Sequence, residues 1–289
     1  MSDRAHIEAA LRERRRHAIV TGSLAGALLL VGLIVSAIVS EADPATILAG
    51  APRVGIYLAK LVPDLRAGVL FAGMQTEGSL AYWMYRFDLW VWLLFETSQM
   101  AALATLIGSV LALLFCFPAA ANLAPNRWVY RICRRSLEML RSVPDIVYAL
   151  ILVWTFGVGP LAGILAIALH TTGSLGKLFA EAAENADMRQ WDAVVATGAN
   201  WPEAVRFAIV PQILPNILSY VLFRFESNVR GATVIGFVGA GGIGQELYTV
   251  ISFNYYQEIG AIVVLIVAAV SLIDLLSERL RRSAIGIVT

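Results

Sequence analysis

The chain has 289 residues, 58% of them hydrophobic and only 15% charged, against about 25% charged in soluble globular domains. That balance excludes an ordinary soluble domain. The net charge of +1 gives no reason to expect a nucleic-acid partner, and the information lies in how the charges are distributed.

The basic stretch RERRRH is followed by 23 uncharged residues, 18–40, enough to cross a hydrocarbon core of roughly 30 Å. A secretory signal has an apolar core of about 7–15 residues, so a retained anchor helix over 18–40 is the better reading. The next segment, 41–96, ends in AYWMYRFDLWVWLLF. Trp and Tyr collect at membrane interfaces, which predicts an interfacial helix leading into a second span near 98–117. Between Asp145 and Lys177 lie 31 uncharged residues interrupted by GVGP at 157–160. Gly and Pro together mark a turn, so two spans are expected there, about 137–156 and 160–180. A fifth is expected over 211–230 and a sixth over 256–276, giving an all-α polytopic membrane protein of about six helices. Cys116 and Cys133 lie in or beside apolar segments without metal-ligand spacing and read as packing residues.

With the N-terminus inside, segments 1–17, 119–143, 177–207 and 277–289 hold 16 of the 22 Lys and Arg residues. The positive-inside rule then places both termini in the cytoplasm. Residues 1–17 and 277–289 become tails, 41–96 an external segment, and 97–276 a transmembrane domain with a cytoplasmic loop at 185–211. There is no phosphate-binding P-loop, which would need a glycine-rich turn followed by Lys and Ser or Thr, and no constellation of nucleophile and base. The chain is therefore expected to be neither an ATPase nor an enzyme. His6 and His17 sit in the charged N-terminal tail. His170 lies in an apolar helix and reads either as a packing residue or as a polar lining of a pathway.

The loop after span four, EAAENADMRQWDAVVATGANWPEAVRFAIVP, is too long for a connector, which needs about two to eight residues. Its signals predict a helix over 188–197, a turn at 198–200 and a second helix from Pro202. Trp191, Val194 and Trp201 are expected to face the cytoplasm and a partner. The loop resembles the signature of ABC-importer permeases: E-A-A, three residues, Gly, nine residues, Ile, one residue, Leu-Pro. The literal EAA at Glu181–Ala183 puts Asp187 in the glycine slot. Counting from Gly198 puts Asp192, Ala193 and Val194 in the E-A-A slots and Ala208, Val210 and Pro211 at the far end, all correctly spaced. RSVPDIVYALIL (141–152), GKLFAEA (176–182), ATGA (196–199) and YVLFRFESNVRGATVIGFVGAGGIG (220–244) are similar to the phosphonate and phosphate branch of these importers.

That resemblance implies a type I, MetI-like permease carrying a phosphorus oxyanion (phosphonate, phosphate or phosphite) across a bacterial plasma membrane. It implies two ATP-binding subunits, which would carry the ATP and magnesium, so this chain itself needs no cofactor. It further implies a second permease copy, a homodimer being favoured over a paralogue pair, and an external solute-binding protein. ATPase docking falls on Arg189, Asp192, Ala193, Gly198 and Ala199.

For the pathway, the charged side chains of span five stand out: Arg224, Glu226 and Arg230, with His170 from span four. A charge at the bilayer centre costs at least ~2.5–3.5 kcal/mol, so it should face protein or water. Glu226 and Arg230 are four apart and can pair on one helical face. They read as a structural ion pair or, with Arg224, as positive potential for an oxyanion, which arginine's forked donors suit. The glycines of GAGGIG (Gly239, Gly241, Gly242, Gly244) read as a turn gating the external mouth rather than a phosphate nest. A permease for another small solute such as an amino acid, and a non-transporting membrane scaffold, are the alternatives.

Overall fold

A computed structural model describes the backbone of residues 2–286 and the side chains of 13–283. The last three residues of the expected 277–289 tail, residue 1, and the side chain of His6 lie outside the described residues. The chain divides into two compact units, 1–60 and 61–289. The first contains α1 (Ser2–Val39) and most of α2 (Pro44–Leu61), separated by a turn in which Glu41 takes a positive φ. Within α1, residues 13–39 are long and apolar enough to cross a membrane.

The second unit runs α3 (Leu80–Trp83), α4 (Phe87–Cys116), α5 (Arg127–Ser142), α6 (Asp145–Phe156), α7 (Pro160–Glu184), α8 (Met188–Ala196), α9 (Trp201–Ala204), α10 (Val210–Ile235), α11 (Gly242–Ser252) and α12 (Tyr256–Gly286). Among the described residues, five helical stretches qualify as spans, and six do if the bent pair α5–α6 is one broken span. The expectation of about six helices therefore holds, but two of the expected spans differ in form. Helix α4 begins at Phe87, so the aromatic stretch 87–95 forms its first turns and not a separate interfacial helix; the short α3, capped by the Ser79 hydroxyl, comes directly before it. The expected third span, 137–156, covers the end of α5 and all of α6, and the chain bends by 86° between the two helices. The cause is Pro144. A residue before proline is pushed out of the helical region, and Val143 is extended (φ −86°, ψ 124°).

Two helices form the centre. α4 lies along α7, and α5, α6 and α10 pack around the pair. Small residues let them approach: a Cβ on Gly108 would press on the Thr171 side chain at 2.7 Å, and Cβ atoms on Gly173 and Gly176 would strike α5 at Arg141 and Leu137. Asn228 of α10 donates to Thr105 of α4 at 2.8 Å and to Thr171 of α7 at 3.0 Å. This buried amide ties the three helices together where apolar packing alone would give little register. Both cysteines are free, Cys116 in the core and Cys133 at its edge, and act as packing residues.

Candidate functional site

The segment following α7 folds as its local signals dictate. Asp187 caps α8 by accepting from the Arg189 amide at 3.0 Å, and its carboxylate also takes the Arg189 guanidinium at 2.8 Å. The Arg189 side-chain hydrogen bond holds the Asp187 carboxyl below its ordinary value, with the backbone bond second. A carboxyl lowered by folding stabilises above its unfolded pKa and loses that contribution as pH falls through the folded one, so this cap is intact at neutral pH. α8 stops at Ala196, and Gly198 turns the chain with φ +90°. Asn200 and Glu203 then form a reciprocal capping box that starts α9.

From Trp201 the helix does not break. α9 passes through a π-helical turn, Val205–Ile209, directly into α10. Span five thus begins inside the loop, not at Pro211. Gln212 of α10 clamps the start of α8, accepting from the Asp187 amide at 2.8 Å and donating to the Asp187 carbonyl at 3.2 Å. Glu184 at the end of α7 accepts from the Ala121 amide and from Arg134. α8 is therefore fixed to the ends of two spans. Arg189, Asp192 and Ala193 are exposed on it, and in the turn that follows Gly198 is exposed and Ala199 half-buried. The aromatic residues behave differently from expectation. Trp191 packs against the core, Val194 is half-buried, and Trp201 donates its indole N–H to the Leu123 carbonyl at 2.7 Å. These rings anchor the loop, and the large apolar side chains it exposes are Val195 and Phe207.

The charged residues of α10 separate onto two faces. Arg230 does not pair with Glu226. It donates to Asp274 of α12 at 3.0 and 3.2 Å, because α12 packs along that face of α10. Glu226 is buried at 8% exposure, and its Oε1 has no hydrogen-bond partner among the described residues. Arg230, Asp274, Glu278 and Arg281 lie within electrostatic range of it. Arg224 points elsewhere. Its Nε is buried without a hydrogen-bond partner among the described residues, with Asp145 and His170 in electrostatic range. His170 places Nδ1 3.0 Å from the Val143 carbonyl at the α5–α6 bend. Both readings of His170 thus keep a basis: it holds the bend and it sits beside Arg224. Asp145 belongs to this group, although by sequence it served only as a span boundary. A Cβ on Gly231 would stand 3.2 Å from Asp145 Oδ2, so the bare glycine admits the carboxylate beside α10.

The glycine-rich segment is a tightly packed junction. Gly239, Gly241 and Gly242 have φ of +87°, +85° and +70°, a region that favours glycine. The Gly239 carbonyl accepts from the Gly159 amide at 2.9 Å, and the Ile243 amide donates to Thr97 Oγ1 at 2.9 Å. A Cβ on Gly244 would collide with the Thr233 carbonyl. GAGGIG therefore locks onto the 157–160 turn and onto α4.

Residues 112–283 match the model of the binding-protein-dependent transport system inner membrane component family. The chain belongs to this family. Over 94% of its length it is 35% identical to a phosphite transport system permease protein, PtxC, of Stutzerimonas stutzeri, covering 89% of that protein. It is 39% identical to the putative phosphite permease HtxC of the same organism over 64% of this chain and 66% of that one. In fold it resembles a chain of the MetNI methionine ABC transporter in an inward-facing conformation. The TM-score is 0.60 at 23% identity, over 69% of this chain and 97% of that one. The chain is a membrane-embedded transport permease with a type I, MetI-like fold.

Proposed function

We propose that this chain is the translocating subunit of an ATP-driven importer of a phosphorus oxyanion (phosphite, phosphonate or phosphate) in a bacterial plasma membrane. Two copies form the pathway, with both termini cytoplasmic. ATP and magnesium reside on two partner ATPases, and an external solute-binding protein delivers the cargo. The face of α8 bearing Arg189, Asp192 and Ala193, with Gly198 and Ala199 of the turn after it, docks in a groove of the ATPase. Movement passes through the Gln212 clamp and the unbroken α9–α10 helix into span five, a rigid lever of the kind that converts a local shift into alternating access. The 239–244 junction gates the external mouth.

The cargo reading rests on Arg224. A half-buried arginine whose Nε is buried without a partner among the described residues suits a transient oxyanion, since an arginine fork matches two oxygens at once. Asp145 beside it keeps that attraction from becoming a trap, as conduction needs weak binding. Glu226 and Arg230, facing α12, serve the helix interface rather than the cargo.

The test uses the reconstituted complex with its ATPase and binding protein, assayed for uptake and ATPase stimulation over a panel of phosphite, phosphate, methylphosphonate, sulfate and methionine. Phosphorus oxyanions should stimulate and the others should not. Arg224→Ala should lower uptake by about tenfold or more, the loss of one charge-assisted contact, while the complex still assembles. Full-rate transport by Arg224→Ala would remove Arg224 from the pathway, and stimulation by methionine alone would overturn the cargo.

A further inference from the structure

At the end of the bundle where α4 and α12 begin, a cavity of about 510 Å³ opens between the 74–85 segment and residues 255–258. That volume lies in the range of sites for small molecules. Its walls are Tyr82, Trp83, Tyr85, Tyr255 and Tyr256, with the Glu258 carboxylate among them. Aromatic residues at this depth are ordinary in a membrane protein, where rings lie outward in the interface. These rings are instead held in place around a concave space. Trp83 donates its indole N–H to the Gln257 carbonyl at 2.8 Å. Tyr85 donates its hydroxyl to Glu258 at 2.8 Å and meets Trp90 edge-on at 6.0 Å. Tyr255 stacks on Phe253 at 5.8 Å. Burial, and then the Glu258 bond, push the Tyr85 phenol above its ordinary pKa, so it remains a donor at neutral pH.

The Arg86 guanidinium borders the cavity beside Tyr85, and the balance of charge there is negative. Ring faces carry the negative lobe of the aromatic quadrupole, and Glu258 adds a full charge. The nearby Arg86 is engaged by Glu246 at 2.7 Å, and Glu258 forms no ion pair among the described residues. An oxyanion would be repelled here, so the cavity lies outside the proposed pathway. A hard divalent ion would need six or more oxygen ligands, and one carboxylate among aromatic faces does not provide them. A weakly hydrated organic cation fits both features, since cation–π attraction strengthens as the cation sheds water.

We infer that this aromatic cavity, closed by Glu258, binds an alkylammonium group. Two sources share that chemistry: the ammonium of a phosphatidylethanolamine headgroup in the adjoining leaflet, and a soluble ammonium compound.

The experiment uses the assembled complex in nanodiscs of phosphatidylglycerol, titrated with tetramethylammonium chloride against sodium chloride at equal ionic strength, with tryptophan fluorescence as readout. A saturable change specific to tetramethylammonium is expected. Glu258→Gln keeps an acceptor for Tyr85 and removes the charge; it should raise the midpoint about tenfold. Tyr255→Ala should raise it roughly fivefold, and Tyr255→Phe should restore it. Size-exclusion profiles check that each variant is assembled. If adding phosphatidylethanolamine to the nanodiscs raises the tetramethylammonium midpoint, the headgroup is the occupant. If it does not, and soluble ethylammonium displaces the probe, the ligand comes from solution. A response identical to that of sodium, or unchanged midpoints in both Glu258→Gln and Tyr255→Ala, overturns the inference. None of these readouts depends on transport or on cargo identity.

Discussion

Gly244 has no room for a methyl group, since a Cβ there would occupy the space of the Thr233 carbonyl, which as backbone can yield only by shifting α10. Overpacking of this kind costs about 1–3 kcal/mol. Gly244→Ala is therefore expected to lower the thermal midpoint of the purified complex, and a midpoint equal to that of the unmodified complex would count against the tight junction. Arg230 raises a different issue, because its partner is Asp274 at 3.0 Å. Removing one member of a pair within the membrane leaves the other charge exposed to a poor solvent, whereas removing both does not. Arg230→Ala should thus reduce the yield of folded permease severalfold, and Arg230→Ala with Asp274→Ala should recover most of it. Failure of the double variant to recover would return Arg230 to the pathway. The sequence could not reveal this pairing. Glu226 lies one helical turn away and looks like the natural partner, while Asp274 is 44 residues distant and meets Arg230 only once α12 packs on α10.

Among the elements, the α8 docking helix was the most readable part of the chain. Its Asp187 cap, the turn glycine at 198 and the Asn200–Glu203 box are local devices whose meaning does not depend on tertiary structure. Gly198 combines φ +90° with open space around its Cβ position, so substitution there strains the backbone without a clash. A side chain in this region costs about 1–2 kcal/mol. Gly198→Leu should leave the membrane core intact and weaken ATPase retention about tenfold or more, read as co-purification and basal ATPase rate. Full retention would move the docking face elsewhere. The span boundaries are less legible, because charge in the sequence marks a helix end only poorly: Asp88 and Glu96 lie within α4, and Arg127–Arg141 within α5. A broken span tolerates such charges where they reach the interface or pair with a neighbour, as Arg134 does with Glu184 at 3.2 Å. The bend itself was signalled by Pro144, but its angle depends on contacts such as that of His170 with Val143, which no local pattern encodes.

At the scale of the whole molecule, composition and hydrophobic run length sufficed for the class, because every membrane-embedded backbone group must be satisfied within a helix or a closed barrel. They left open how the helices choose neighbours. That choice falls to features weak in sequence: single glycines at Gly108, Gly173 and Gly176, and one buried amide at Asn228 linking three helices. The π-helical turn at Val205–Ile209 has a consequence of another kind. Such a turn carries one residue more than the α-helix around it, and one residue corresponds to about 100° of azimuth. It therefore acts as a phase-setting insertion: losing a single residue there would keep the helix continuous yet swing every side chain before it by roughly a quarter of a revolution, so the bearing of α9 about the α10 axis is fixed by residue count as well as by contacts.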